Sequence, residues 1–345
     1  MVSAMREVTL SVIVTSHNND KQIERCLNSV LNQKLNFSYE IIISDDSSTD
    51  ETIEIIKTYC NKYPHLISFF TINTDDYNPF IKSERSAVNK AYAYLKSSGK
   101  YIVYIDADDY LISNSIYNDQ IIKLEKNLEC SLCMQNMMRI KDGDSIDKTW
   151  DWKNIDLKDS DIIDFRTYIE KQYCISNPAF MMRRDEKLNP FESYNNGKLF
   201  NDEFITMHHL SLGNIIYIDR SDYMYVQYES SIDMSYILDD KIARYALLPI
   251  IYCLLFPKYA ISFIKGYRNH LSSYLKKIDM NSLKLTEGMV LFLKQFNGFL
   301  FSYLTQSKHT SFDKIRLKLL RLVIVIINKL NIENRYAYII FQKMM

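Results

Sequence analysis

Glycine and proline are scarce in this 345-residue chain, 7 and 6 in all, which leaves few tight turns and implies long regular elements. The turn after the first apolar strand, Thr15-Ser16-His17-Asn18, holds no glycine. A nicotinamide dinucleotide needs G-x-G-x-x-G there, so that the backbone can approach the pyrophosphate, and a dehydrogenase is set aside. No uncharged apolar run is long enough to span a bilayer. The longest near the C-terminus, residues 245–257, would reach about 20 Å as a helix against a hydrocarbon core of about 30 Å, and Pro249 and Pro257 interrupt it. The opening Met-Val-Ser-Ala-Met-Arg-Glu lacks the apolar run of a signal peptide, so a cytoplasmic location is expected. Cysteines are scattered: Cys26, Cys60, Cys130, Cys133, Cys174 and Cys253. Cys130 and Cys133 form a lone C-x-x-C in a strand, where residues three apart face opposite sides. That makes a poor zinc clamp and leaves six reduced core thiols.

What is present is an apolar fraction of 47 %, ample for a buried core, together with 26 tyrosines. The net charge of zero conceals a split. Residues 1–240 hold 25 Lys and Arg against 38 Asp and Glu, a balance of −13, whereas residues 241–345 hold 17 against 4, a balance of +13. An acidic front and a basic tail imply different partners for the two parts, or an attraction between them.

Residues 9–15 (TLSVIVT), 39–44 (YEIIIS), 66–72 and 101–105 (YIVYI) are mainly apolar and β-branched or aromatic, the mark of strands buried on both faces. Helical spacing lies between them: residues 18–33, with Ile23, Leu27, Val30 and Leu31 on one side, a segment through Tyr59, and residues 83–97. This alternation predicts a parallel α/β sheet flanked by helices, which binds ligands beyond the carboxyl ends of its strands. The polar clusters fall at that edge: residues 15–18, Asp45-Asp46, and Asp106-Ala107-Asp108-Asp109. Further on, strands are expected near 179–182, 214–218 and 223–228, a helix over 199–212, and helices throughout beyond Asp240.

Three carboxylates crowded after one strand repel each other unless a cation joins them, and hard oxygen ligands suit Mg²⁺ or Mn²⁺. The plainer alternative is a helix cap with an acidic first turn. The stretches VIVTSHNNDKQIERCLNSVLNQ, EIIISDDSSTDET and GKYIVYIDADDYL, in this order and spacing, resemble the inverting family 2 of nucleotide-sugar glycosyltransferases with the GT-A fold. The resemblance is dense over residues 8–112, thins to about 232, and is absent from the tail. It implies a catalytic domain over 1–240, with a nucleotide-binding part (1–112) and an acceptor part (113–240), before a basic helical extension (241–345).

The resemblance also implies roles. Thr15, His17 and Asn18 lie in the loop that touches the donor nucleotide, with His17 in place of the usual aromatic. Asp46 corresponds to the residue that reads the base edge. Asp106 and Asp108 match the D-x-D, the second ligating Mn²⁺ or Mg²⁺ and the first lying near the ribose. The family's catalytic base is the Asp of a Glu-Asp pair at a helix start, about eleven residues before a glycine. Asn201-Asp202 stands at that spacing before Gly213, which makes Asp202 the candidate. Asn201 replaces the Glu expected near the acceptor, and Glu203 fits the register less well. The plainer alternative for Asp202 is a helix N-cap. Tyr228 stands where the family often has a His that helps hold metal or phosphate.

The implied donor is a UDP-sugar, and the implied acceptor a growing bacterial surface glycan on a lipid carrier. A polyprenyl-phosphate sugar transferase and a non-catalytic nucleotide-sugar binder are the alternatives. No nucleic-acid partner is implied. Trp150 and Trp152 face the same way if extended, and either stack on an acceptor sugar or are buried. In residues 312–330, Lys314, Lys318, Arg321 and Asn328 recur at helical spacing against a broad apolar face. Such a helix suits the anionic inner face of the cell membrane, the acidic domain of its own chain, or a second subunit in a homodimer.

Overall fold

The computed structural model describes residues 8–79, 82–143, 150–151, 157–171, 179–193, 196–198, 200–228, 252, 256–259 and 262–263. The chain divides into two units, Met1–Tyr168 with Tyr173–Ser231, and Ile169–Gln172 with Ile232–Met345. In the second, the Tyr252 and Phe263 rings stack with centroids 5.3 Å apart, and Ser262 donates to Glu170 at 3.1 Å. The expected basic helix over 312–330 lies outside the described residues, as does most of the extension. Among the described residues no helix is long and apolar enough to cross a membrane.

The first unit is built on an eight-stranded sheet. Its strands are β1 (Leu10–Ser16), β2 (Tyr39–Asp45), β3 (Ile67–Thr71), β4 (Tyr101–Asp106), β6 (Cys130–Met134), β9 (Ile162–Ile163), β10 (Phe180–Arg183) and β11 (Asn214–Tyr217). The spatial order is β3-β2-β1-β4-β10-β6-β11-β9. The first four run parallel, as the alternation predicts. β10 runs against both of its neighbours and β9 against β11, so the sheet is mostly rather than wholly parallel. A second sheet joins β5 (Tyr110–Leu111), β12 (Tyr223–Gln227), β7 (Met137–Lys141) and β8 (Trp150–Asp151) in that order.

The period-2 alternation of each strand divides the core. Leu10, Val12, Val14, Ile41, Ile43, Val103 and Ile105 pack with Ile23, Cys26, Leu27 and Val30 of α1 (Ile23–Leu31) and with Ile56 of α2 (Thr52–Lys62). The same core takes in Ile116, Ile121 and Leu124 of α4 (Ile116–Lys126), while α3 (Lys82–Lys96) packs on β1 and β2. The helix expected from residue 18 begins only at Ile23. Asn18 adopts φ 54°, and its side chain accepts from the Thr49 N–H at 2.8 Å, which ties residues 18–22 to the neighbouring loop. Cys26, Cys60, Cys130 and Cys133 are free thiols, and burial pushes Cys130 up to about 11. Cys174 and Cys253 lie outside the described residues.

One glycine is dictated by a close approach. A Cβ on Gly99 would lie 2.4 Å from Ser11 N and 2.7 Å from Leu10 C, both backbone atoms that cannot swing aside. The Gly99 N–H also donates to Ser11 Oγ at 2.8 Å, pinning the α3–β4 turn to β1. Gly99→Ala is therefore expected to destabilise the protein by about 1–3 kcal/mol. A denaturant melt checks this through a lower midpoint at unchanged slope, and an unshifted midpoint would show that the turn relaxes.

Candidate active site

β1, β2 and β4 end at one level, with Thr15 beside both Ser44 and Asp106. Asp45 is a structural carboxylate, accepting from Ser16 Oγ at 2.7 Å and from Ser48 N and Oγ at 2.7 and 2.6 Å. Asp46 points elsewhere. Its carboxylate accepts from Thr74 N at 3.0 Å, Thr74 Oγ1 at 2.8 Å and Arg85 Nε at 3.1 Å. His17 Nδ1 lies 2.6 Å from Asp46 O, and the Asn18 N–H donates to Ser48 Oγ at 2.8 Å. The first loop and the Asp pair are thus one hydrogen-bonded unit.

The three carboxylates at the end of β4 crowd one another, yet Asp106 and Asp109 take different partners. Asp106 accepts from Thr15 Oγ1 at 2.5 Å. Asp109 turns into the core and accepts from Tyr223 Oη at 2.6 Å and Val226 N at 2.9 Å. Burial, with Asp108 and Asp106 nearby, holds the Asp109 carboxyl well above the usual range. It is a strut that ties the turn to β12. Asp108 is pushed up to about 7 by burial first and the charge of Asp106 second. Among the described residues no three His, Cys, Asp or Glu side chains gather into a metal cage. Mg²⁺ and Mn²⁺ need no such cage where one carboxylate, waters and substrate phosphates complete the shell. Asp108, whose carboxylate no side-chain hydrogen bond or ion pair occupies among the described residues, fits a cation of that kind.

α7 (Asp202–Leu212) brings in the distant carboxylate. Asn201, with φ −90° and ψ 175°, is the N-cap, accepting from the Phe204 N–H at 3.1 Å. Capping is therefore done by Asn201, and Asp202 is released for another partner. That partner is Lys90 on α3, which sequence reasoning missed. Lys90 Nζ lies 2.6 Å from Asp202 Oδ1 and 3.5 Å from Asp106 Oδ1, with its side chain 3 % exposed. Burial alone would favour loss of its proton, but Asp106 and Asp202 outweigh that and hold the ammonium above its ordinary range. The signal was a lysine set among Ala87, Ala91 and Tyr94 on the buried stripe of an amphipathic helix.

Gly213 ends α7, and a Cβ there would meet Glu129 O at 2.8 Å, so the spacing from Asp202 is the length of the helix up to a close contact. Glu203 follows Asp202 in the first turn. His208 is 2.9 Å from Asp185, and His209 is buried and pushed down to about 3, so neither joins the carboxylates. Trp150 pairs through its backbone with Arg139 in the second sheet, and Trp152 lies outside the described residues. A second missed cation, Arg25 of α1, donates to Asp108 O at 3.2 Å and to Tyr228 Oη at 3.1 Å.

The family model described as glycosyl transferase family 2 matches residues 11–188. An uncharacterized glycosyltransferase of Escherichia coli K12, YibD, is 29 % identical over 124 residues, covering 36 % of this chain and 33 % of that protein. The poly(ribitol-phosphate) beta-N-acetylglucosaminyltransferase TarS of Staphylococcus aureus is 32 % identical over 102 residues, covering 29 % and 16 %. The matches thus span about a third or less of these relatives. Crystal structures of TarS 1-349 with UDP and with UDP-GlcNAc superpose at TM-scores of 0.60 and 0.56. They cover 98 % and 97 % of this chain and 92 % of theirs, at 16 % identity, a likeness of fold.

Proposed function

Because this chain belongs to glycosyl transferase family 2, we propose that it moves a sugar from a nucleotide diphosphate to an acceptor hydroxyl in a single inverting displacement. The observation that carries the reading is the Asp202–Lys90–Asp106 bridge, which sets a carboxylate from α7 beside the carboxyl end of β4. UDP is the donor nucleotide of choice, supported by the fold shared with a protein crystallised with UDP and UDP-GlcNAc. The acceptor class is a cell-surface polymer, supported by the poly(ribitol-phosphate) relative.

In this reading Thr15, His17 and Asn18 bound the nucleotide, Asp46 reads the base beside Arg85, and Asp106 lies by the ribose. Asp108 would hold Mn²⁺ or Mg²⁺ together with the diphosphate, and the ion would stabilise negative charge on the leaving group. Asp202 accepts the proton of the acceptor hydroxyl while that oxygen's electron pair forms the bond to the anomeric carbon. The bond from that carbon to the phosphate oxygen breaks in the same step, and the nucleoside diphosphate leaves with the electron pair. Lys90 keeps Asp202 and Asp106 from repelling one another.

Transfer is tested by supplying UDP-sugars with a glycan-primed lipid or a bare lipid phosphate and reading the product's anomeric configuration by NMR. Retained configuration would overturn the single displacement. Separately, Asp108→Ala is expected to abolish transfer and to remove the part of UDP's thermal stabilisation that depends on Mn²⁺. If the variant keeps that Mn²⁺-dependent shift, the metal assignment is wrong.

A further inference from the structure

Arg25 is an exposed side chain on α1, yet three separate pieces of the fold hold it. Its Nη2 donates to Asp108 O at 3.2 Å and to Tyr228 Oη at 3.1 Å, and its guanidinium carbon lies 4.3 Å from the centre of the Tyr110 ring. The contacts come from the turn after β4, from β5 and from the residue that follows β12. A long charged side chain gives up rotamer entropy to be held this way, and exposed contacts of this kind return little stability. Among the described residues no carboxylate ion-pairs with Arg25, and its Nε and Nη1 make no hydrogen bond.

The neighbouring charges are unevenly matched. Lys90 is committed to Asp202 and Asp106, whereas Asp108 has Arg25 touching its backbone oxygen and not its carboxylate. The cation beside Asp108 is therefore aimed, with Nε and Nη1 left over for an incoming acceptor. A guanidinium with N–H groups to spare matches a phosphate, whose oxygens accept the forked donors in pairs. The aiming residue is Tyr228, which stands where a metal- or phosphate-holding His was expected. Its phenol is a weak substitute for imidazole as a ligand but a sound acceptor for Nη2.

We propose that Arg25 is a donor-binding residue whose guanidinium, aimed by Tyr228 and Tyr110, takes a phosphate oxygen of the nucleotide diphosphate. The inference rests on the donor reading above and assigns part of the diphosphate's charge neutralisation to the protein chain. Phosphate affinity then survives removal of divalent cations.

The test uses the full chain and two probes, UDP and uridine, titrated by calorimetry in EDTA. Wild type is expected to bind UDP more tightly than uridine. Arg25→Gln, at an exposed position, loses roughly tenfold or more of its UDP affinity while uridine binding is unchanged. Arg25→Lys falls between, because an ammonium carries the charge without the fork. Wild type binding UDP no better than uridine in EDTA would overturn the proposal, as would Arg25→Gln binding UDP like wild type. Equal weakening of both probes would place Arg25 in the nucleoside pocket and overturn it too. If wild type binds neither probe, with or without Mn²⁺, the donor reading itself fails and takes the inference with it.

Discussion

Asp202→Asn is expected to lower turnover by roughly 10²–10⁴ while UDP affinity and melting temperature stay near wild type. The amide is isosteric with the carboxylate, and its oxygen can still accept from Lys90 Nζ, now 2.6 Å away. The helix start is unaffected, because Asn201 supplies the cap. Lys90 also keeps Asp106 as a counter-charge at 3.5 Å. What is lost is the ability to take a proton from the acceptor hydroxyl, so the deficit belongs in kcat. Glu203→Gln serves as the control. A large loss there with little loss at Asp202 would move the base by one residue and break the link to Lys90.

The largest stability effect is expected at Lys90. Lys90→Met preserves much of the side-chain volume but leaves Asp106 and Asp202 facing each other without the ammonium. Removing one member of a buried ion pair typically costs about 3–5 kcal/mol. Here the two carboxylates are 33 % and 35 % exposed, so water screens part of the repulsion and about 2–3 kcal/mol is expected. The diagnostic is the double variant Lys90→Met with Asp202→Asn. It should recover part of the lost stability, because the second change removes one of the opposed charges. Strict additivity in denaturant melts would show that Lys90 acts through packing alone.

Much of this protein could be read locally. β1, β2 and β4 are seven, seven and six residues long and almost wholly buried, so their runs of Ile and Val carry no polar alternation to confuse them. The acidic turn at the end of β4 and the interval from Asp202 to Gly213 were legible too, because each is confined to one turn or one helix. The second sheet was not. β5 and β8 have two residues each, too few to show a period.

Sequence by itself thus determined the parallel strands, the edge where they end and the acidic residues placed there. Tertiary structure decided which partners those acidic residues take. Asp109 became a strut because Tyr223 and Val226, more than a hundred residues later, donate to it. Asp202 pairs with Lys90, 112 residues earlier, while its neighbour Asn201 took over the cap. Helical and strand periods are set by neighbours within a few residues, so they survive in a string of letters. A buried ion pair depends on closing a long loop and removing both charges from water. Those energies exist only once the sheet and its helices have packed.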